Sequence, residues 1–146
     1  MERSEKSPFN FYKKGTDPKK AIITTGIAYN YLMENGEPEA TVLKITQYPL
    51  PEALIKQLVA DGAEEVLVVE EGQPVVEEMI RGMVPSSVAV KGRLTGDLPR
   101  MGELTPDCVR LALGKEPLPV RVKETVVANR PPALCQGCGH RDMYAS

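Results

Sequence analysis

Apolar residues along the chain switch between two spacings, and each switch marks an element. Ala21-Ile22-Ile23-Thr24-Thr25 is a short β-rich run closed by Gly26, and Ile27, Ala28, Tyr31 and Leu32 then recur at helical spacing as far as Gly36. The unit repeats. Residues Thr41 to Thr46 predict a second strand, and Pro51, expected at a first helical position, opens a helix with Leu54, Ile55, Leu58 and Val59 on one face. Val66-Leu67-Val68-Val69 is apolar at every position, as a strand covered on both faces should be. Pro74 opens a third helix, with Val75, Val76, Met79 and Ile80 expected inward and Gly82 as its end. Val88-Ala89-Val90 is a weaker fourth strand, and Thr105 is the expected N-cap of a fourth helix carrying Val109, Ala112 and Leu113 before Gly114.

Strands alternating with helices at such short intervals imply an α/β fold of three layers, α/β/α, around a mostly parallel sheet. This domain is expected over residues 21–114. Residues 1–20 are polar apart from Phe9, Phe11 and Tyr12, and read as a linker. From Lys115 the helical period is lost, and Pro117, Pro119, Pro131 and Pro132 bracket the run Val120 to Val127, so 115–130 reads as an interdomain connector within an extended C-terminal tail. Residues 131–146 then read as the truncated opening of another domain, because only five residues follow Arg141.

Composition narrows the function. The 12 glycines and 13 prolines fall between apolar runs and act as turn punctuation. A formal net charge of −2 with interspersed signs argues against nucleic acid and against a membrane surface as partners. No apolar run approaches bilayer length and the first residues lead into no signal-peptide core, so a cytoplasmic protein is expected. Three cysteines, an odd number, do not suggest a disulfide framework.

Chemistry concentrates near the C-terminus. In Cys135-Gln136-Gly137-Cys138-Gly139-His140, two thiolates three positions apart can reach one ion, and the glycines permit the turn this needs. His140 is a third possible donor, and Cys108 lies on the predicted fourth helix among core positions. Metal or cluster ligation and inert thiols in a tight turn both remain open. Elsewhere, Gly26 supplies one glycine where a dinucleotide fingerprint needs three. Glu70-Glu71-Gly72 lies at the ligand-facing edge of an open sheet, yet acidic groups there also suit a helix N-terminus. The loop Gly92 to Arg100 holds two arginines that could take a phosphate or carboxylate, or could form a surface loop at a domain interface. Glu77-Glu78 and Lys13-Lys14 read as solvated faces without chemistry.

Taken in order, ITTGIAYNYLMEN, YPLP, VLVVEEGQPVVEEMIRG, KGRLTGDLPR, GELTPD and RPPALCQGCGHRDMY resemble the alpha subunits of the indolepyruvate ferredoxin oxidoreductases. The resemblance covers nearly the whole chain but only the middle of those subunits. It implies thiamine diphosphate-dependent oxidative decarboxylation of aryl 2-oxoacids to acyl-CoA, with magnesium, 4Fe–4S clusters, ferredoxin as acceptor and a beta subunit as partner. It further implies a transketolase C-terminal-type domain over residues from about 20 to 114, and the first strand and turn of a diphosphate-binding domain from about residue 130. By the same resemblance, Cys135 and Cys138 match the two cysteines that related enzymes give to a cluster, with Gln136 in place of proline, and His140 lies near the cofactor diphosphate. The Gly-Asp-Gly magnesium motif and the activating glutamate are missing from this sequence. The expectation is therefore a scaffold domain inactive alone, set against a free-standing flavodoxin-like binding module with a Cys-x-x-Cys-x-His metal clip.

Overall fold

The computed structural model describes Glu2–Pro119, Leu134 and Gln136–Ala145. A sheet of five strands runs in the order β1-β3-β2-β4-β5. Its strands are β1 (Phe11–Lys13), β2 (Asp17–Thr25), β3 (Ala40–Ile45), β4 (Glu65–Val69) and β5 (Ala89–Lys91). β2 to β5 are mutually parallel, and β1 lies antiparallel to β3 on the edge. The helices are α1 (Glu2–Glu5), α2 (Ala28–Glu34), α3 (Glu52–Ala60), α4 (Val75–Arg81), α5 (Pro106–Ala112) and α6 (Gly139–Ala145).

Alternation along the strands sends apolar groups to both faces. Ile23, Leu43, Val66 and Val68 pack with Ile55 and Leu58 of α3 and Val76 and Ile80 of α4. Their neighbours Ile22, Val42, Leu67 and Val69 pack with Ala28 and Leu32 of α2 and Val109 of α5. Two such cores make the fold a three-layer α/β/α sandwich, as the sequence predicts. Among the parallel strands the order is second, first, third, fourth, the doubly wound arrangement whose topological switch point falls between β2 and β4.

The N-terminal segment, expected as a linker, contributes β1 to the sheet. Asn10 and the alternation of Phe11, Tyr12 and Lys13 tie it to β3, with Phe11 opposite Lys44 and Lys13 opposite Val42. Tyr12 faces α3 and donates a hydrogen bond to Asp61 at 2.6 Å. Three residues suffice because one of their faces finds a core to lie against. Gly15, at the turn into β2, passes so close to β3 that a β-carbon there would stand 2.0 Å from the Glu39 carbonyl oxygen.

Helix starts follow two chemistries. Thr105 caps α5 as expected, its hydroxyl accepting from the Cys108 amide at 3.2 Å with Pro106 following. Pro51 and Pro74 take the N-cap positions of α3 and α4 instead of the first helical ones, and neither offers a side-chain cap. The C-terminal tail, expected to be extended, contains α6. The expected extended run from Val120 to Val127 lies outside the described residues.

Candidate functional site

In an open parallel sheet, ligands bind outside the carboxyl ends of the strands at the switch point. Here that edge gathers the turn at Gly26 after β2, Glu70-Glu71-Gly72 after β4 and the loop of residues 92–104 after β5. Gly26 adopts φ of 53° with open space around it, so it serves the turn itself and does not make a close approach.

The charged groups at this edge hold the protein together. Glu70 is buried, and its two carboxylate oxygens accept the Val76 and Glu77 amides, each at 2.9 Å. It thus supplies the cap that Pro74 cannot give α4. Burial raises its carboxyl above the ordinary value; the two amide bonds pull it down, the Glu77 charge adds to the rise, and Arg93 opposes it. Exposed Glu71 accepts from the Leu104 amide at 3.3 Å.

Glu77 is no solvated side chain. It is 1% exposed, and its carboxylate takes the Leu94 amide at 3.0 Å and the Arg81 guanidinium at 2.9 Å. The inward face of α4 is consequently Val76, Glu77 and Ile80, while Val75 and Met79, expected inside, are exposed. Gly92 makes room for this arrangement.

Arg93 is likewise 1% exposed. It donates to the carbonyls of Glu70 at 3.0 Å and Pro99 at 2.6 Å, with a longer contact to Gly102 at 3.5 Å. Its second terminal nitrogen, Nη2, is buried without a partner among the described residues. Arg100 is exposed, so the two arginines do not converge on an anion site. The long loop is instead closed on itself, with Thr95 accepting from the Gly92 amide at 2.8 Å and Leu98 and Leu104 inserted into the core.

At the C-terminal end, Gln136 and Gly137 turn the chain into α6, and Gly137 has φ of 80°. The Cys138 sulfur lies 3.3 Å from His140 Nδ1. Cys135 lies outside the described residues. The soft sulfur and borderline imidazole suit a metal in kind, but they are two donors where a cluster or structural zinc takes about four. No group of three or more histidine, cysteine or acidic residues able to hold a metal occurs among the described residues. Cys108 is held at the start of α5, where its sulfur meets the Thr105 hydroxyl at 3.2 Å, and is no part of this clip. No helix of the described residues is long and apolar enough to cross a membrane.

Sequence reasoning missed the buried roles of Glu77, held by Arg81 and the Leu94 amide, and of Arg93, held by backbone carbonyls. The available signal was the placement of Gly92 between a strand and an arginine, which a buried carboxylate nearby would have explained.

Comparison with known proteins finds relatives of one kind. The chain is 34% identical over 154 residues to the indolepyruvate oxidoreductase subunit IorA of Methanothermobacter thermautotrophicus, covering 97% of the chain and 25% of the relative. It is 37% identical over 136 residues to that of Methanothermobacter marburgensis, covering 86% and 22%. With that of Pyrococcus abyssi it shares 33% over 165 residues, covering 98% and 25%. The chain thus spans about a quarter of the length of the curated relatives it matches. No family model matches it, and no solved structure does.

Proposed function

We propose, on the premise that this chain is homologous over nearly all its length to about a quarter of the IorA subunit of indolepyruvate oxidoreductases, that it is a scaffold and interface domain of such an enzyme and performs no chemistry alone. The observation that carries the reading is the fate of the carboxyl edge. Where a catalytic domain would offer free acids, bases or cations, Glu70, Glu77 and Arg93 are buried and bonded to the backbone of this same domain.

In the intact enzyme the reading implies an aryl 2-oxoacid as substrate, CoA as acyl acceptor, ferredoxin as electron acceptor, and a beta subunit as partner. Thiamine diphosphate with magnesium would supply the carbanion chemistry, and 4Fe–4S clusters the electron path. Cys135 and Cys138 are proposed as two ligands of a metal or cluster completed by groups outside this chain, with His140 beside the diphosphate. The closeness of Cys138 and His140 supports a donor set of that type. The α/β unit itself is proposed to be of the transketolase C-terminal type.

The test is an assay of this chain with indolepyruvate, CoA, thiamine diphosphate, magnesium and a viologen acceptor. No reduction above the protein-free rate is expected, and sustained indolepyruvate-dependent reduction sinks the scaffold reading. For the ligands, iron, sulfide and zinc are measured in a longer protein that continues through the next domain, beside its Cys135→Ala and Cys138→Ala variants. Unchanged metal content in both variants removes the assignment.

A flavodoxin-like binding module is the second reading, favoured by the strand order alone. Quenching of flavin fluorescence on titration with the chain would favour it over the first.

A further inference from the structure

α2 ends at Asn35, and the side chain of this residue ties that end to α5. Its side-chain nitrogen donates to the carbonyls of Tyr31, in its own helix, and Pro106, at the start of α5, both at 2.9 Å. Its side-chain oxygen lies 3.5 Å from Arg110 Nη1, and Lys115 Nζ donates to its backbone carbonyl. The joint stands beside the apolar contact of Ala28 and Leu32 with Val109.

Gly36 follows Asn35, and no other asparagine of the chain precedes a glycine. Without a β-carbon, glycine leaves its nitrogen free to turn onto the asparagine side chain and close a five-membered imide. The Gly36 nitrogen bonds to Asn35 Cγ, the Cγ–Nδ2 bond breaks, and ammonia leaves with the amide proton. Water then opens the imide, at Cγ to leave aspartate or at the backbone carbonyl to leave isoaspartate. The net change is water taken up and ammonia released.

The folded chain holds the reacting atoms apart. With ψ of 8° at Asn35, the Gly36 nitrogen nearly eclipses Asn35's own backbone nitrogen and stands away from the side chain, so ring closure needs a large rotation. The Gly36 amide is bonded to the Met33 carbonyl at 3.0 Å, and the departing Nδ2 is bonded to two carbonyls. Gly36 itself is exposed, so water reaches the site and the barrier lies in these bonds.

We propose that Asn35 is a site of hydrolytic modification gated by α5, reacting only when the end of α2 unwinds and α5 lifts from it. The modification then keeps the joint from closing. Aspartate in this place offers acceptors alone and sets a carboxylate against the Tyr31 and Pro106 carbonyls, and isoaspartate adds a backbone atom at the helix end. The proposal stands independently of the oxidoreductase reading, since it depends on neither the cysteines nor a cofactor.

Mass spectrometry of the chain incubated at mildly alkaline pH, folded and in urea, tests it. Trypsin, cutting after Lys20 and Lys44, gives one peptide that carries both Asn35 and Asn30, and Asn30, followed by Tyr31, is the internal control. In urea, aspartate and isoaspartate are expected at Asn35 well ahead of Asn30. In the folded chain the rate should fall by about tenfold or more, because reaction proceeds from the open population alone. Val109→Ala removes core packing of α5; it should raise the folded-state rate and the exchange of the Gly36 amide by the same factor, since release of that nitrogen precedes both. Ile55→Val, on the other face of the sheet, should leave both near wild type, which separates local opening from weaker folding of the whole domain. Asn35→Asp stands for one product and should speed exchange at Val109 and Leu113. Equal rates in the folded and unfolded chain overturn the proposal. Faster Gly36 exchange in Val109→Ala without faster modification overturns it too, as does α5 exchange unchanged by Asn35→Asp.

Discussion

Gly92 and Glu77 occupy one another's space: a β-carbon on Gly92 would stand 2.5 Å from Glu77 Oε2 and 3.1 Å from the Val68 carbonyl oxygen. Backbone lies on one side and a buried, doubly bonded carboxylate on the other, so an added methyl must push the carboxylate off the Leu94 amide. Gly92→Ala is expected to destabilise the domain by about 2–4 kcal/mol, the range for breaking a buried charged network. Glu77→Ala should fall in the same range. The double variant should cost clearly less than the two singles together, since both break one network. Urea unfolding of the four proteins checks this; simple additivity would show that the contact is not shared.

Arg93 acts on the neighbouring stretch. It joins the exit of β4, through the Glu70 carbonyl, to Pro99 and Gly102 of the loop. Arg93→Met keeps much of the apolar stem but removes these donors, and is expected to cost about 2–4 kcal/mol because carbonyls are left unsatisfied. The distinctive sign is local. Amide exchange at Leu98 and Leu104 should accelerate more than at Ile23 or Val68, and trypsin should cut sooner after Arg100. Uniform acceleration over the whole chain would mean that Arg93 supports the global fold and not the loop in particular.

Glu70 gives a pH signature whose sign is fixed by its environment. Burial raises its carboxyl in the folded state despite the two amide bonds, so the native protein binds that proton more readily than the unfolded chain does. Between the ordinary carboxyl value and the raised native one, the folded state holds more proton, and stability from this group falls as pH rises. Lowering the pH from neutral through that window therefore increases its contribution. Comparing the wild type with Glu70→Gln cancels the other carboxylates. The stability difference should move in favour of the wild type as pH falls, by urea melts across a pH series. A constant difference, or movement the other way, would show that capping α4 outweighs desolvation.

The parallel core was legible because each of its strands declares itself. Val66 to Val69 can alternate between two apolar faces only if both are covered, and Ile22 and Ile23 do the same. What the sequence concealed has a common cause. Glu77 sits in a helix with Arg81 one turn on, which is also the pattern of a solvated ion pair, and only the tertiary approach of Gly92 and Leu94 buries it. Val75 and Met79 share the helical period of Val76 and Ile80, but the sheet covers a narrower arc of α4 than the apolar residues span. The same holds for the candidate site. Cys138 Sγ and His140 Nδ1, two positions apart in sequence, lie 3.3 Å apart, whereas nothing local distinguishes Glu70 as a ligand-facing acid from Glu70 as a helix cap. Three residues of β1 are too few to show a period at all.

Asn10 decides whether that N-terminal stretch belongs to the domain. Its side-chain oxygen accepts the Thr46 and Gln47 amides at 2.8 and 2.9 Å, and its side-chain nitrogen donates to the carbonyls of Ser4 at 2.8 Å and Gln47 at 3.2 Å. One amide thus bonds backbone on both sides of itself, fastening the approach to β1 onto the exit of β3; no other residue type offers paired donors and acceptors at that length, and aspartate offers acceptors alone. Asn10→Ala should cost about 1–3 kcal/mol, since the freed backbone groups are partly buried. Asn10→Asp keeps both acceptor bonds but sets a carboxylate oxygen against the Ser4 and Gln47 carbonyls, so it should cost at least as much as Asn10→Ala. A stretch that merely tethers would show no change in either variant. Equilibrium unfolding of both, with exchange at Thr46 and Gln47 as the local readout, distinguishes an integral edge strand from a tether.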